Sequence, residues 1–322
     1  MKHINLLISV AICFIGIIQT SCCLKNEKTN QTTKPLRFVF ITTCVGEDFF
    51  IPVKKGMDQA ASLLGVECSF IGTKEVDLKR QVTMVSQAIK QGVDGIALNI
   101  IDTLAFDSVV KEAIDKGIPV VAFNVDDNKT PNARLSGICQ NFYKAGYDLG
   151  QKISAQIPEN STVLMTIHSE GISALNDRLK GERDALIKKN IKWKVVVTGI
   201  KADSAAFVIT NALNKNHGVK VVICTGQADT EGAGLAIEKN FNNMGYLAAG
   251  FDVSPAIIRL IKNDHILFTI DQQPFMQGFY PVIQLYQYCR YGILPSDNEI
   301  VASFVTKNNA DNIEKLCNEH FR

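Results

Sequence analysis

Residues 36–71 read LRFVFITTCVGEDFFIPVKKGMDQAASLLGVECSFI, and this stretch decides the fold class. A β-rich run, Leu36–Thr42, is followed by a polar turn, a helical pattern at Val53–Leu64 and a second β-rich run at Val66–Ile71. Gly65 stands directly after the helical pattern and Asp77 before the next one, where helices commonly end and begin. Two strands joined by a helix form a βαβ unit, and such units build parallel sheets.

The same alternation continues through the rest of the chain. Further strands are predicted at Gly95–Asn99, Pro119–Phe123, Thr162–Ile167, Trp193–Thr198, Val219–Cys224, Leu247–Phe251, Ile266–Ile270 and Val301–Val305. Further helices are predicted at Leu78–Gln91, Phe106–Lys116, Pro274–Tyr291, near 142–156, 174–188, 204–215 and 231–239, and in the polar tail. The strands are almost continuously apolar, which is expected when helices cover both faces of a parallel sheet. We therefore predict an α/β fold with two doubly wound, Rossmann-like domains, each with parallel strands.

Length and composition agree with this prediction. A chain of 322 residues is too long for one ordinary core and suits two domains. The hydrophobic fraction of 46% and the charged fraction of 20% are typical of a globular protein. A net charge of +2 provides no basic field for phosphate backbones, so no nucleic-acid partner is predicted.

The N-terminus has the pattern of a secretory signal. Lys2 precedes an apolar run, Leu6–Ile18, whose thirteen residues would span about 20 Å as a helix, less than a bilayer core of roughly 30 Å. The run leads to Cys22 and Cys23, and this ending resembles a bacterial lipoprotein signal, which leaves a lipid-modified cysteine at the new N-terminus. Cys22 is the expected lipidation site, with Cys23 and a plain secretory signal as alternatives. Residues 1–21 are then the signal peptide, and residues 22–35 the lipid anchor and a flexible tether.

Signatures of catalysis and of metal binding are mostly missing. The sequence has no G-x-x-x-x-G-K-[ST], no H-E-x-x-H and no G-x-S-x-G. The six cysteines after the anchor are scattered, with no C-x-x-C and no histidine at zinc spacing. We predict a protein that is not an enzyme and has no cofactor and no metal site.

Polar side chains follow the ends of the predicted strands. They include Glu47, Asn99, Asn124, Asp126, His168, Gln227, Asp229, Asp252 and Gln272, together with the aromatic pair Phe49 and Phe50. Open α/β sheets bind ligands beyond the carboxyl ends of their strands. Amides and carboxylates form paired hydrogen bonds with adjacent hydroxyls, and an aromatic face covers the C–H side of a sugar ring.

Five short motifs occur in order along this part of the chain. They are Asp48-Phe49-Phe50 followed by Lys55-Gly56-Met57, QGVDGI at 91–96, GIPVV at 117–121, Gly250-Phe251-Asp252, and TIDQQPFMQG at 269–278. In this order and spacing they resemble the periplasmic sugar-binding proteins of the ribose-binding type, over roughly residues 36–310. The resemblance implies a type I periplasmic binding fold, in which two lobes are joined by a three-crossover hinge and close over the ligand.

The resemblance also implies lobe boundaries. The crossings fall near 139–141, 272–273 and 301–304. The N-terminal lobe contains 36–139 plus 273–301, and the C-terminal lobe contains 140–272 plus 302–322.

The ligand-binding residues carried over by the resemblance fall into two groups. Phe49 and Phe50 match the ring-stacking pair, Asp252 the hydroxyl-binding acid and Gln272 the hinge-side amide. At the remaining expected positions the chain departs from the family pattern, although Arg178 is retained; these positions are Glu47, Asn124, Asp126, Asn176, Arg178, Gln227 and Asp229.

The departures bear on ligand identity. Asn124-Val125 replaces an Asp-Arg pair, Asn176 replaces an arginine, and the third aromatic residue has no counterpart near Ile200–Asp203. A buried polar group without its partner costs about 1–3 kcal/mol, so two such changes alter preference roughly 10²–10⁴-fold. The expected ligand is therefore a small sugar or polyol rather than ribose in particular.

The resemblance implies a lipid-anchored extracytoplasmic solute-binding protein that delivers its ligand to an ABC importer. Its partners would be the permease with its ATPase, the membrane through the lipid anchor, and in some systems a chemoreceptor or sensor kinase. The expected location is the cell envelope, on the outer face of the cytoplasmic membrane or in the periplasm. The alternative is a receptor for a sugar-like, autoinducer-type signal. A transcription factor of this fold would need an N-terminal helix-turn-helix, where this chain has a signal and a tether.

Overall fold

The computed structural model describes residues 34–127 and 132–322. The signal predicted at 1–21 and the predicted lipidation site, Cys22, lie outside the described residues. Pro35–Arg322 is a compact unit by itself, and it contains every described strand and helix. Within the described ranges, no helix is both long enough and apolar enough to cross a membrane.

The elements alternate as the sequence predicts. The strands are β1 (Arg37–Thr42), β2 (Glu67–Gly72), β3 (Gly95–Leu98), β4 (Val120–Asn124), β5 (Ser136–Cys139), β6 (Thr162–Ile167), β7 (Lys192–Val197), β8 (Val221–Cys224), β9 (Leu247–Phe251), β10 (Phe268–Asp271), β11 (Asn298–Glu299) and β12 (Ser303–Val305). The α-helices are α1 (Phe50–Leu64), α2 (Leu78–Lys90), α3 (Asp107–Asp115), α4 (Phe142–Ile153), α5 (Ser173–Ala185), α6 (Ala202–Asn214), α7 (Gln227–Asn240), α8 (Pro255–Lys262), α9 (Pro274–Tyr291) and α10 (Ala310–Asn318).

The first sheet has the order β11-β5-β4-β3-β1-β2, and all its described pairs are parallel. Its two faces alternate residue by residue, as the geometry of a strand requires. Phe38 and Phe40 pack against α1 and α9, whereas Val39 and Ile41 pack in the core that contains α2 and α3. This sheet with its helices is called the first lobe.

The second sheet has the order β12-β10-β9-β8-β6-β7, and with its helices it forms the second lobe. Most of its strands are parallel, but β12 runs antiparallel to β10. The prediction of purely parallel domains is wrong at this strand. The chain reaches β12 from the first lobe at the carboxyl end of β10, where Ser303 pairs with Asp271, so it can only run back along the sheet.

Three crossings join the lobes. The chain passes from β5 to α4 through 140–141, from β10 to α9 through 272–273, and from β11 to β12 through 300–302. Because both sheets direct their carboxyl ends toward the same cleft, the loops after the strands face each other there. This is the predicted fold class, with two doubly wound lobes and a three-crossover hinge.

Local signals explain where the helices begin and end. The Asp77 side chain accepts a hydrogen bond from the Arg80 N–H at 2.9 Å, which is the predicted cap of α2. Gly65 ends α1 with φ of 63°, a left-handed conformation that glycine adopts at no steric cost. The sequence prediction lacked α8, although Ser254 caps it and Pro255 occupies its first turn. It also lacked β5 and β11, which are too short to show a pattern.

Candidate ligand-binding site

A cavity of about 480 Å³, part of it open to solvent, lies between the carboxyl ends of the two sheets. Its lining residues are Thr43, Cys44, Glu47, Phe49, Phe50, Asn99, Ile101, Asn124, Val125, Phe142, His168, Ile172, Ala174, Leu175, Arg178, Gly226, Gln227, Asp252 and Gln272. Both lobes and the hinge contribute to this cavity, so a bound ligand would contact all three.

Eight of the eleven predicted ligand-binding residues line this cavity. They are Glu47, Phe49, Phe50, Asn124, Arg178, Gln227, Asp252 and Gln272. Most of them follow the carboxyl end of a strand, where a parallel sheet places its loops. Arg178 is the exception, because it projects from within α5.

The structure places the other three predicted residues elsewhere. Asp126 accepts a hydrogen bond from Arg134 Nε at 2.7 Å and lines a neighbouring groove. Asn176 is exposed on α5, because two residues along a helix correspond to a rotation of about 200° from the buried Arg178. Asp229 is fully buried, and its oxygens accept hydrogen bonds from Thr166 Oγ1 at 2.6 Å and from the Thr225 N–H at 2.9 Å. It therefore secures the start of α7.

Other residues line the cavity without having been predicted as ligand contacts. Asn99 and His168 follow the carboxyl ends of strands, so the rule that ligands bind beyond these ends, which applies to Asp252, also applies to them. Phe142 begins α4 directly after the first crossing, and Ile172 and Leu175 lie at the start of α5. Only the packing of the second lobe against the first brings these apolar residues to the cavity.

Arg178 is held rigidly in the wall. Its guanidinium group lies between the rings of Phe142 and Phe251, with centroids at 5.0 and 3.9 Å, a cation–π arrangement. Nη1 donates to the Thr225 carbonyl at 2.6 Å and Nη2 to Gln140 Oε1 at 3.1 Å. Nε is buried and has no hydrogen-bond partner among the described residues. Burial lowers the pKa of Arg178, while the nearby Asp252 carboxylate opposes that change.

An amide network joins the first lobe to the hinge. Asn99 Nδ2 donates to Asn124 Oδ1 at 2.7 Å, and Asn124 Nδ2 donates to Gln277 Oε1 at 3.1 Å. Gln277 Nε2 donates in turn to the Gln272 carbonyl at 2.7 Å, and Gln272 Nε2 to Asp252 Oδ1 at 2.6 Å. These bonds fix the positions of the polar groups of the site.

Asn124 and Asp252 share an uncommon backbone conformation. Their φ angles are 61° and 70°, in the left-handed region that asparagine and aspartate tolerate better than most residues. Each stands at the end of a central strand, β4 and β9. Residues held in such conformations concentrate at functional sites, where the backbone aims a side chain at a ligand.

Glu47 and His168 face each other across the cleft, with Oε1 and Nδ1 3.4 Å apart. Burial, together with the charges of Asp252 and Asp229, raises the pKa of Glu47 to about 8. Burial and the Arg178 charge lower the pKa of His168 to about 4. At neutral pH both side chains are therefore largely uncharged, and the pair offers hydrogen bonds rather than an ion pair.

Three buried polar atoms on lining residues have no hydrogen-bond partner within the described part of the chain. Asn99 Oδ1 is an acceptor and Arg178 Nε is a donor, while Glu47 Oε1 belongs to a carboxyl group that is largely protonated at neutral pH and can therefore accept or donate. Such atoms are rare because leaving one unpaired costs about 1–3 kcal/mol. Hydroxyl groups both donate and accept, so a polyhydroxylated ligand can satisfy both kinds of atom. No group of three or more His, Cys, Asp or Glu residues that could hold a metal ion occurs in the described ranges.

The lobes touch around the cavity, so the structure is that of a closed cleft. The Ser173 N–H donates to the Ile101 carbonyl at 3.0 Å, and Lys201 Nζ donates to the Gly46 carbonyl at 3.1 Å. Two lobes, three crossings and an enclosed polar site between them define a two-lobed solute-binding fold.

The chain belongs to the periplasmic binding protein family, since the family's sequence profile, described as a periplasmic binding protein domain, matches residues 38–292. The predicted family is thereby confirmed. It is a family of binding proteins, which also confirms the prediction that the chain is not an enzyme.

Individual proteins agree with this assignment. The chain is 31% identical over 288 residues to the xylose/arabinose-binding protein of Sulfolobus acidocaldarius, covering 85% of this chain and 71% of that protein. It is 24% identical over 280 residues to the ribose import binding protein of Bacillus subtilis, covering 84% and 89%. A carbohydrate transporter from Acidothermus cellulolyticus, crystallised with myo-inositol, superposes with a TM-score of 0.79 at 25% identity, covering 89% of this chain and 100% of that one.

Proposed function

We propose that this protein is an extracytoplasmic solute-binding protein that captures a small sugar or polyol in its cleft and delivers it to an ABC importer. The observation that carries the proposal is the cavity itself. It combines the aromatic pair Phe49 and Phe50 with three buried polar atoms, Glu47 Oε1, Asn99 Oδ1 and Arg178 Nε, that have no hydrogen-bond partner among the described residues. Apolar faces and paired hydrogen-bonding groups are what a sugar ring requires.

The relatives support this ligand class. Two of them are named for xylose, arabinose or ribose, and the carbohydrate transporter holds a polyol, myo-inositol. The word "import" in one of these names supports delivery to a permease with its ATPase. All of these ligands are small, uncharged and rich in hydroxyl groups, which agrees with the neutral state of Glu47 and His168.

The working unit is a pair of lobes that open and close. We take the N-terminal lobe as 36–139 plus 273–301 and the C-terminal lobe as 140–272 plus 302–322, because the described strands divide between the sheets in this way. Ligand that contacts both lobes favours the closed state by its differential affinity. The closed state is then the form presented to the permease.

Attachment to the membrane is a separate part of the proposal. Residues 1–21 act as a lipoprotein signal, and lipidated Cys22 anchors the protein in the cell envelope. Cys22→Ser is expected to release the protein from washed membranes into the soluble fraction, while Cys23→Ser leaves it attached. Release by Cys23→Ser alone would instead assign the anchor to Cys23.

Ligand class is tested by thermal shift on residues 24–322, which retain the compact unit Pro35–Arg322. The panel contains pentoses, hexoses, polyols, nucleosides and amino acids. A sugar or polyol is expected to raise the melting temperature, with titration calorimetry giving a Kd in the micromolar range or tighter. Stabilisation by nucleosides or amino acids alone would overturn the proposed ligand class.

A further inference from the structure

The cavity contains a second apolar surface besides Phe49 and Phe50. Five lining residues, Ile101, Val125, Phe142, Ile172 and Leu175, form it and are called the apolar wall. Each is at most 7% exposed, and all five belong to one hydrophobic cluster. Phe49 and Phe50 belong to a different cluster, so the two apolar surfaces are independent parts of the site.

The apolar wall is assembled from both lobes. Ile101 and Val125 follow β3 and β4 in the first lobe, whereas Phe142, Ile172 and Leu175 lie at the starts of α4 and α5 in the second. The hydrogen bond from the Ser173 N–H to the Ile101 carbonyl joins the two parts at 3.0 Å. The wall is therefore complete only when the cleft is closed.

The side chains of the wall have hydrocarbon surfaces and offer no hydrogen bond. A ligand hydroxyl enclosed against them would lose its water and gain no partner, whereas a methyl or methylene group would lose only unfavourable hydration. The buried polar lining atoms without a hydrogen-bond partner in the described part of the chain belong to other side chains, Glu47, Asn99 and Arg178. The cavity is therefore complementary to a ligand with several hydroxyl groups and one apolar position.

We propose that the ligand is a deoxy sugar, a sugar in which a methyl or methylene group replaces a hydroxyl-bearing carbon, and that the apolar wall selects it. The inference rests on the proposed sugar-binding function and narrows its ligand class. The methyl or methylene group packs on the wall, one ring face lies against Phe49 and Phe50, and the hydroxyls satisfy the unpartnered polar atoms.

Titration calorimetry with matched pairs tests the proposal. The pairs are D-fucose with D-galactose, L-rhamnose with L-mannose, and 2-deoxy-D-ribose with D-ribose. In at least one pair the deoxy member is expected to bind about 10- to 100-fold more tightly, the effect of one unpaired buried hydroxyl. If the hydroxylated member binds equally or more tightly in every pair that binds, the deoxy-sugar proposal is wrong and the sugar-binding function stands. If no sugar or polyol binds at all, both are wrong.

Val125→Thr tests whether the apolar wall causes the preference for the deoxy sugar, because threonine keeps the shape of valine and places one hydroxyl group in the wall. The preference for the deoxy sugar is expected to fall at least threefold, while Val195→Thr, at a 42% exposed position on β7, leaves it unchanged. Leu175→Asn provides a second change in the wall, with melting temperature as the check on folding. An unaltered preference in both folded wall variants would show that the wall does not contact the distinguishing group, and would overturn the proposal.

Discussion

Asp252→Asn tests the polar part of the site most directly. The Asp252 carboxylate accepts a hydrogen bond from Gln272 Nε2 at 2.6 Å and another from the Gln227 N–H. A carboxylate has about four acceptor positions, so about two remain for ligand hydroxyls. Asparagine removes one oxygen and the charge, and with them at least one charge-assisted hydrogen bond worth about 1.5–3 kcal/mol. We expect the Kd for the best ligand to rise about 10- to 150-fold.

The fold should tolerate this change. Asparagine is compatible with φ of 70°, and burial raises the pKa of Asp252, so the substitution removes a charge that is costly to bury. The ligand-free melting temperature is therefore expected to be no lower than that of the wild type. Asp264→Asn is the matched control, because Asp264 has a similar φ of 62° and is 75% exposed in its side chain. Wild-type affinity in Asp252→Asn, measured by titration calorimetry, would refute the assigned role.

Three further changes test the packing and titration of the site. Arg178→Lys loses the forked donor held between two rings, so we expect the free energy of unfolding to fall by about 1–3 kcal/mol in urea denaturation. An unchanged free energy of unfolding would contradict the described packing of Arg178 against Phe142 and Phe251. Because Glu47 has a pKa raised from 4.5 to about 8, its contribution to stability is full below pH 4.5 and is lost as pH rises toward 8. Glu47→Gln should therefore reduce the decline of the melting temperature between pH 4.5 and 8. The same dependence of melting temperature on pH in the variant and the wild type would show that Glu47 titrates normally. In Gly146→Ala the new Cβ would lie 2.2 Å from the Arg178 carbonyl oxygen, so α4 and α5 must separate. We expect the free energy of unfolding to fall by about 1–3 kcal/mol, with little change in Gly218→Ala, where no atom of the described residues lies within 4 Å of the new Cβ. Equal stabilities of the two variants would argue against close contact between α4 and α5.

Most of the fold could be predicted because its signals are local. Apolar runs bounded by turn-forming or polar residues place β1, β6 and β9 within a residue of their observed bounds. Strands of two to four residues, such as β5 and β11, lack enough length for a pattern, and their existence depends on a neighbouring strand. The direction of β12 likewise depends on which end of β10 the chain reaches, and this is decided by the crossing from the other lobe.

The candidate site was predictable where the backbone alone aims the side chain. Glu47, Asn124 and Asp252 follow strands, and the edge of a parallel sheet gathers such residues wherever the loops lead. Asn176, which was carried over by the resemblance and not by this rule, lies outside the cavity because the helix turn that buries Arg178 directs it to solvent. The rule fails for Asp229, because a residue at a strand end can serve the helix that follows.

The sequence by itself determined the alternation of strands and helices, the two-lobed family and the residues at the strand ends, because all of these depend on short-range patterns. The tertiary structure alone decided which polar atoms have no hydrogen-bond partner within the described residues and which apolar residues meet to form the wall. Val125 and Leu175 are separated by fifty positions and belong to different lobes, yet they line one cavity. Hydrogen bonding and packing depend on distances of a few ångströms between such residues, and only the folded chain brings them that close.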